Sequence, residues 1–182
     1  MKIFYIVFLL LASTLAKAQN LNDTLNPPPA ALPGVYADPH IAVFGNKFYL
    51  YPTTDGTEGW MSGHFTCWSS KDLVKWKNEG VILDFKKDLT WAKARAWAPA
   101  IAEKNGVYYY YFSAETNIGV ATANKPEGPF KDVLGKPMIA KGKYKGQMID
   151  PMMFVDDDGA AYLYWGQGTC YVAKLQCRHD FV

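Results

Sequence analysis

Three stretches of this chain repeat one design, and that repeat limits the fold more than any other feature. They are "ADPHIAVFGNKFYLYPT" from Ala37, "WAPAIAEKNGVYYYYFSA" from Trp97 and "IDPMMFVDDDGAAYLYWG" from Ile149. Each has a proline, an apolar run, a tight turn and a tyrosine-rich run. The prolines are Pro39, Pro99 and Pro151, spaced by 60 and then 52 residues. The turns fall at Gly45-Asn46, Asn105-Gly106 and Asp158-Gly159. Asn-Gly and Asp-Gly between apolar runs are strong hairpin signals. A third strand-like run follows each hairpin, at Phe65, Ile118 and Cys170. The first two units add a fourth, "GVILDF" at Gly80 and "KPMIAK" at Lys136.

Four short strands recurring every 50 to 60 residues are the signature of a propeller blade. The reading is therefore all-β, a β-propeller. No segment after Val35 has helical periodicity. An immunoglobulin-type sandwich also explains short strands, but not the repeated proline-hairpin unit. The chain holds two blades and most of a third, whereas propellers usually have four to eight. It is therefore expected to be the N-terminal part of a longer protein, or a truncated product.

The ends read differently. "MKIFYIVFLLLASTLAKAQN" combines Lys2, an apolar run from Ile3 to Ala12 and small residues at Ala16 and Ala18. That is a secretory signal peptide over 1–18, cut between Ala18 and Gln19. The apolar run is too short for a membrane span, so no anchor is expected. Residues 19–34 are polar and then proline-rich, an extended linker, and 35–182 form the incomplete propeller. A formal charge of +2 with scattered lysines gives no case for nucleic acid. Cys67, Cys170 and Cys177 form no C-x-x-C pair, so no zinc site is expected. Cys67 and Cys170 lie in apolar runs and read as buried thiols; export also permits a disulfide.

Asp38 and Asp150 are the chemical candidates. Each directly precedes the aligned proline, where the second unit has Ala98. An ionised carboxylate among apolar neighbours costs free energy unless it is paired or used. Asp-Pro also opens turns, but two in register within a repeat favour function. On inner strands they would converge on one cavity, as glycoside hydrolysis requires. Asp156, Asp157 and Asp158 read instead as a hairpin turn, because calcium-loop spacing is absent.

"YADPHI", "CWSSKDLVKW", "WAPAI", "YYYYFSA", "GVATANKPEGPF" and "MIDPMMFVDDDGAAYLYWG", in this order, resemble glycoside hydrolase family 43. The resemblance runs from about Val35 to Leu175. It implies a five-bladed propeller and an inverting glycosidase of α-L-arabinofuranosidase or β-xylosidase type, acting on plant polysaccharides; with the signal peptide, a secreted or periplasmic location is expected. It implies Asp38 as general base and Asp150 as the residue that orients the acid and raises its pKa. The family's acid is a glutamate in the next blade. None of Glu58, Glu79, Glu103, Glu115 and Glu127 stands before an aligned proline, and all five read as solvated. Trp97, Arg95 and Trp165 are candidate sugar contacts. His64 lies in a glycine-rich loop that is a candidate rim. Ala100 stands where the family often has an acidic residue. No cofactor is expected. The resemblance allows an axial calcium ion, but no residues here fix its ligands. A binding propeller without catalysis, or an inactive truncated product, are the alternatives. The particular sugar is not legible.

Overall fold

The computed structural model describes residues 29–175; the signal-peptide reading lies outside them, as does Cys177. The proline-hairpin units become three antiparallel sheets. The first holds β1 (Tyr36–Phe44), β2 (Lys47–Thr54), β3 (His64–Ser70) and β4 (Trp76–Asp84), in that order. The second holds β5 (Ala96–Lys104), β6 (Val107–Ala114), β7 (Asn117–Ala123) and β8 (Lys131–Asp132). The third holds β9 (Met152–Val155), β10 (Ala161–Trp165) and β11 (Tyr171–Lys174). These meanders are three propeller blades. The first strands of successive blades are neighbours, since β5 packs against both β1 and β9. The β5–β6 turn needs two left-handed residues, which Asn105 and Gly106 supply at φ 54° and 78°.

The blade faces explain the aromatic composition. Tyr110 and Phe112 point from β6 into the layer shared with the first blade, beside Tyr51, Phe65 and Phe85. Tyr109 and Tyr111 point the other way, into a layer with Met153, Leu163 and Trp165. Successive residues of a strand face opposite sides. A sheet covered on both faces therefore reads as one continuous apolar run. The end faces differ: Ile41 and Val43 on β1, and Met152, Phe154 and Tyr164 on the third blade, are exposed. Gly119 of β7 lies opposite Phe112. Phe112 stacks on Trp91 at 6.1 Å with an 11° interplanar angle, and a side chain at Gly119 would strike both rings.

Several details depart from expectation. "KPMIAK" is not a strand; only Ile139 bridges to Ile118, and the fourth strand is Lys131–Asp132. Pro137 lacks the N–H that a ladder needs. Asp132 uses one carboxylate oxygen to accept from the Leu134 and Gly135 amides, which turns the chain. Its other oxygen accepts from Trp91 Nε1 at 2.8 Å. A four-residue helix, α1 (Phe85–Asp88), follows β4. Asp84 caps it by accepting from Lys86 N, and Asp88 returns the bond by accepting from Asp84 N. Cys67 is buried as expected, and burial pushes its thiol up to about 12. Cys170 is exposed instead, because β11 starts only at Tyr171. Leu32, within the proline-rich segment, is buried.

Candidate active site

Each of the three inner strands is entered through the same backbone anomaly. Asp38, Ala98 and Asp150 have φ of 45°, 42° and 58°. Left-handed backbone costs a residue with a side chain roughly 1–3 kcal/mol, and here it is repeated three times in register. In the first two blades it coincides with a bulge. Ala37 pairs with Thr53 and His40 with Tyr51; Trp97 pairs with Ser113 and Ala100 with Tyr111. The extra residue re-aims the side chain before the proline, a known use of bulges beside functional sites.

Asp38 and Asp150 meet at a cavity of about 520 Å³, which Ala98 does not line. Its lining includes Asp38, Asp150, Arg95, Trp97, Trp60 and Asp55. The structure thus brings together four of the five residues singled out from sequence. The fifth, Trp165, is elsewhere. It is buried in the layer between the second and third blades, stacked on Tyr171 at 5.6 Å. The alternation of β10 turns Trp165 into that layer.

Asp38 Oδ2 accepts a 3.0 Å hydrogen bond from the Thr53 hydroxyl. Thr53 Oγ1 in turn accepts from Ala98 N at 2.8 Å. Asp150 N donates to Ser113 Oγ at 2.9 Å. Partial desolvation, and then the negative charge of Asp38, push the Asp150 carboxyl above its ordinary value. The two carboxylates therefore interact across the cavity. Arg95 stands over the Trp97 ring at 5.6 Å, and Trp97 Nε1 donates to the Trp60 carbonyl at 2.8 Å. These contacts hold a cationic group and two indoles along one wall.

Trp60 is one of the cavity residues that sequence reasoning missed, with Thr53 and Asp55. It lies in a short 3-10 helix, Glu58–Trp60, and is 67% exposed. The glycine-rich loop does form a rim, but through Gly59 and Trp60 rather than His64, which opens β3. A solvent-facing tryptophan amid glycine and glutamate was the available signal. His40 lies outside the cavity lining; burial lowers its pKa, opposed by a hydrogen bond with the Ile101 backbone.

No glutamate lines the cavity among the described residues. Glu115 accepts from the Lys93 and Ala94 amides, and Glu103 from Gly106 N. Glu79 is not solvated as expected. Its side chain is 11% exposed and accepts from Lys77 Nζ and Ser69 Oγ, both at 2.6 Å. Burial opposes its ionisation, yet these bonds hold it below the usual carboxylate range. The acidic hairpin behaves as a turn: Asp156 and Asp158 accept from the amides of Asp157 and Ala160, and all three aspartates are exposed. Among the described residues no group of three or more His, Cys, Asp or Glu could hold a metal ion.

The raised pKa of Asp150 has a consequence for stability. The folded state holds a proton on this group more tightly than the unfolded chain does. Stability is therefore lost as pH rises through the unfolded and then the folded pKa. Asp150→Asn is expected to raise Tm at pH 7 by about 1 °C, a small effect because the carboxylate is exposed and screened. The gain should vanish below pH 4. Calorimetry at the two pH values checks it; equal changes at both would contradict the assignment.

The model of "Glycosyl hydrolases family 43" matches residues 28–178. A beta-D-galactofuranosidase of Aspergillus niger is 37% identical over 82% of this chain and 47% of its own length. A xylosidase/arabinosidase of Humicola insolens is 38% identical over 78% and 46%. The solved structure of an alpha-L-arabinofuranosidase from Clostridium thermocellum superposes with a TM-score of 0.68 at 35% identity, covering 77% of this chain and 51% of that one. The chain spans about half the length of the curated relatives it matches. With its repeated blades and a family match over most of its length, this chain belongs to glycosyl hydrolase family 43.

Proposed function

We propose that the whole protein is an exported, inverting glycosidase that removes arabinofuranosyl or xylosyl units from plant polysaccharides. The observation that carries this reading is the pair Asp38 and Asp150, presented from equivalent strand entrances into one open cavity with indole walls. Asp38 is the general base: it takes a proton from water as that water attacks the anomeric carbon. Asp150 sets the orientation and pKa of the acid that protonates the leaving oxygen. Trp60 and Trp97 offer aromatic faces to the sugar, and Arg95 offers donors to its hydroxyls. The relatives named for arabinose, xylose and galactofuranose support a small sugar ring as the substrate unit. Export rests on residues 1–18 alone. No helix among the described residues is long and apolar enough to cross a membrane.

A panel of nitrophenyl glycosides tests the reading. The whole protein should release nitrophenol from an arabinofuranoside or a xyloside, with inversion visible by proton NMR of the first-formed sugar. The polypeptide of residues 1–182 alone should release none above a buffer blank, because no glutamate among the described residues lines the cavity and an acid is required. Turnover by that polypeptide, abolished by Asp38→Asn, would overturn the division of roles. A second reading is a sugar-binding propeller without hydrolysis, which would use the same indole-walled cavity. Saturable binding of xylo- or arabino-oligosaccharide by a whole protein with no turnover would establish it.

A further inference from the structure

We propose that Thr53 is a positioning residue, which aims the Asp38 carboxylate and ties it to the backbone of the next blade. The inference rests on the glycosidase reading for its catalytic consequence, but not for its geometry. Ala98 N is only a donor, so Thr53 Oγ1 is the acceptor of that 2.8 Å bond. The single hydroxyl proton of Thr53 is then committed to Asp38 Oδ2, at 3.0 Å. A directed chain results, from the Ala98 amide through the Thr53 hydroxyl to the carboxylate, and each bond polarises the next. Thr53 is 3% exposed, so water cannot readily replace the contact. With Oδ2 engaged, Oδ1 is the oxygen left to meet the attacking water.

The register shows that this is a built feature. Thr53 pairs with Ala37 and Ser113 pairs with Trp97, which are equivalent places in successive blades. Ser113, fully buried, receives the Asp150 amide as Thr53 receives that of Ala98. Both hydroxyls thus hold the left-handed residue of the following blade. Only Thr53 has a carboxylate of its own blade at the other end. In the third blade the equivalent position is Gly166, which carries no hydroxyl and whose amide donates to the Ile149 carbonyl. The link therefore joins the first blade to the second, and the second to the third, with the base attached to the first of these joints.

The test compares Thr53→Val, which keeps the shape, with Thr53→Ser, which keeps the hydroxyl, in the whole protein. On the best nitrophenyl glycoside, Thr53→Val should lower kcat by about 10–100-fold with KM changed by less than about threefold. Thr53→Ser should stay within about threefold of the parent. Exchange of the Ala98 amide should quicken about tenfold or more in Thr53→Val and not in Thr53→Ser. The Asp38 carboxyl carbon signal should move in the valine variant alone. A valine variant with unchanged kcat, or a serine variant as impaired as valine, overturns the proposal. Should the valine variant not fold, an unprotected Ala98 amide in the parent overturns it and a protected one that is lost in Thr53→Gly supports it. If the parent hydrolyses none of the glycosides, the glycosidase reading fails by itself. The amide exchange and the Asp38 signal then still decide whether Thr53 bridges the two blades.

Discussion

Asp38→Asn is expected to lower kcat of the whole protein by about 1000-fold or more, with little change in KM. Asparagine keeps the size of the side chain and can still accept from the Thr53 hydroxyl, which holds Oδ2 of Asp38 at 3.0 Å. What it loses is the ability to take a proton from water. General-base catalysis accounts for about 10²–10⁴-fold in rate, and in an inverting reaction no covalent intermediate offers another route. Asp157→Asn is the control. Asp157 sits exposed in the hairpin turn, outside the cavity lining. Its replacement should leave kcat within about twofold, since surface changes of this kind have small effects. Kinetics on the same glycoside, with circular dichroism to confirm folding, measure both. More than a tenth of the parent activity in Asp38→Asn would remove Asp38 from the role of base.

The second large effect concerns the layer between the first two blades. Phe112→Ala should cost about 3–5 kcal/mol, the range for deleting a fully buried aromatic ring. Phe112 has no exposed surface, and its ring lies within 5.3–6.3 Å of Phe85, Phe65, Trp91 and Tyr110. Gly119→Val should cost about 2–3 kcal/mol for the opposite reason, because its side chain would enter the space held by the Phe112 and Trp91 rings. The two changes share one volume, so they should not add. The double variant should be more stable than the sum of the two losses implies, by about 1 kcal/mol or more. Urea unfolding of the four proteins gives the cycle. Strict additivity would show that the Phe112 ring does not occupy the space over Gly119.

How much of this was legible depended on the scale of the feature. The hairpins at Gly45-Asn46, Asn105-Gly106 and Asp158-Gly159 were legible, because turn chemistry acts over two residues and strands alternate between them. The equivalence of Asp38 and Asp150 was legible from the repeat. The reason for their convergence was not. It lies in left-handed backbone at a residue that is alanine in one blade, so no glycine or asparagine signals it. Trp165 and Trp60 were exchanged for a related reason. Trp165 sits in an apolar strand near Asp150 in sequence, but the pleat turns it inward. Trp60 sits in a loop whose path only tertiary packing sets. The second-blade edge failed as well. "KPMIAK" has the apolar content of a strand, yet Asp132 turns the chain before it and pins Trp91 instead.

Ala98 carries one more implication, which concerns what the repeated backbone could accept rather than mechanism. Its backbone is bent like those of Asp38 and Asp150, and its amide is held by the Thr53 hydroxyl, although it bears no reactive group. The contorted entrance is thus a property of the repeated unit, separable from the acid it displays in two copies. Each repeat offers a ready-made address at the entrance to its first strand. A single codon change can switch an acid on or off at each of them without redesigning the surrounding chain.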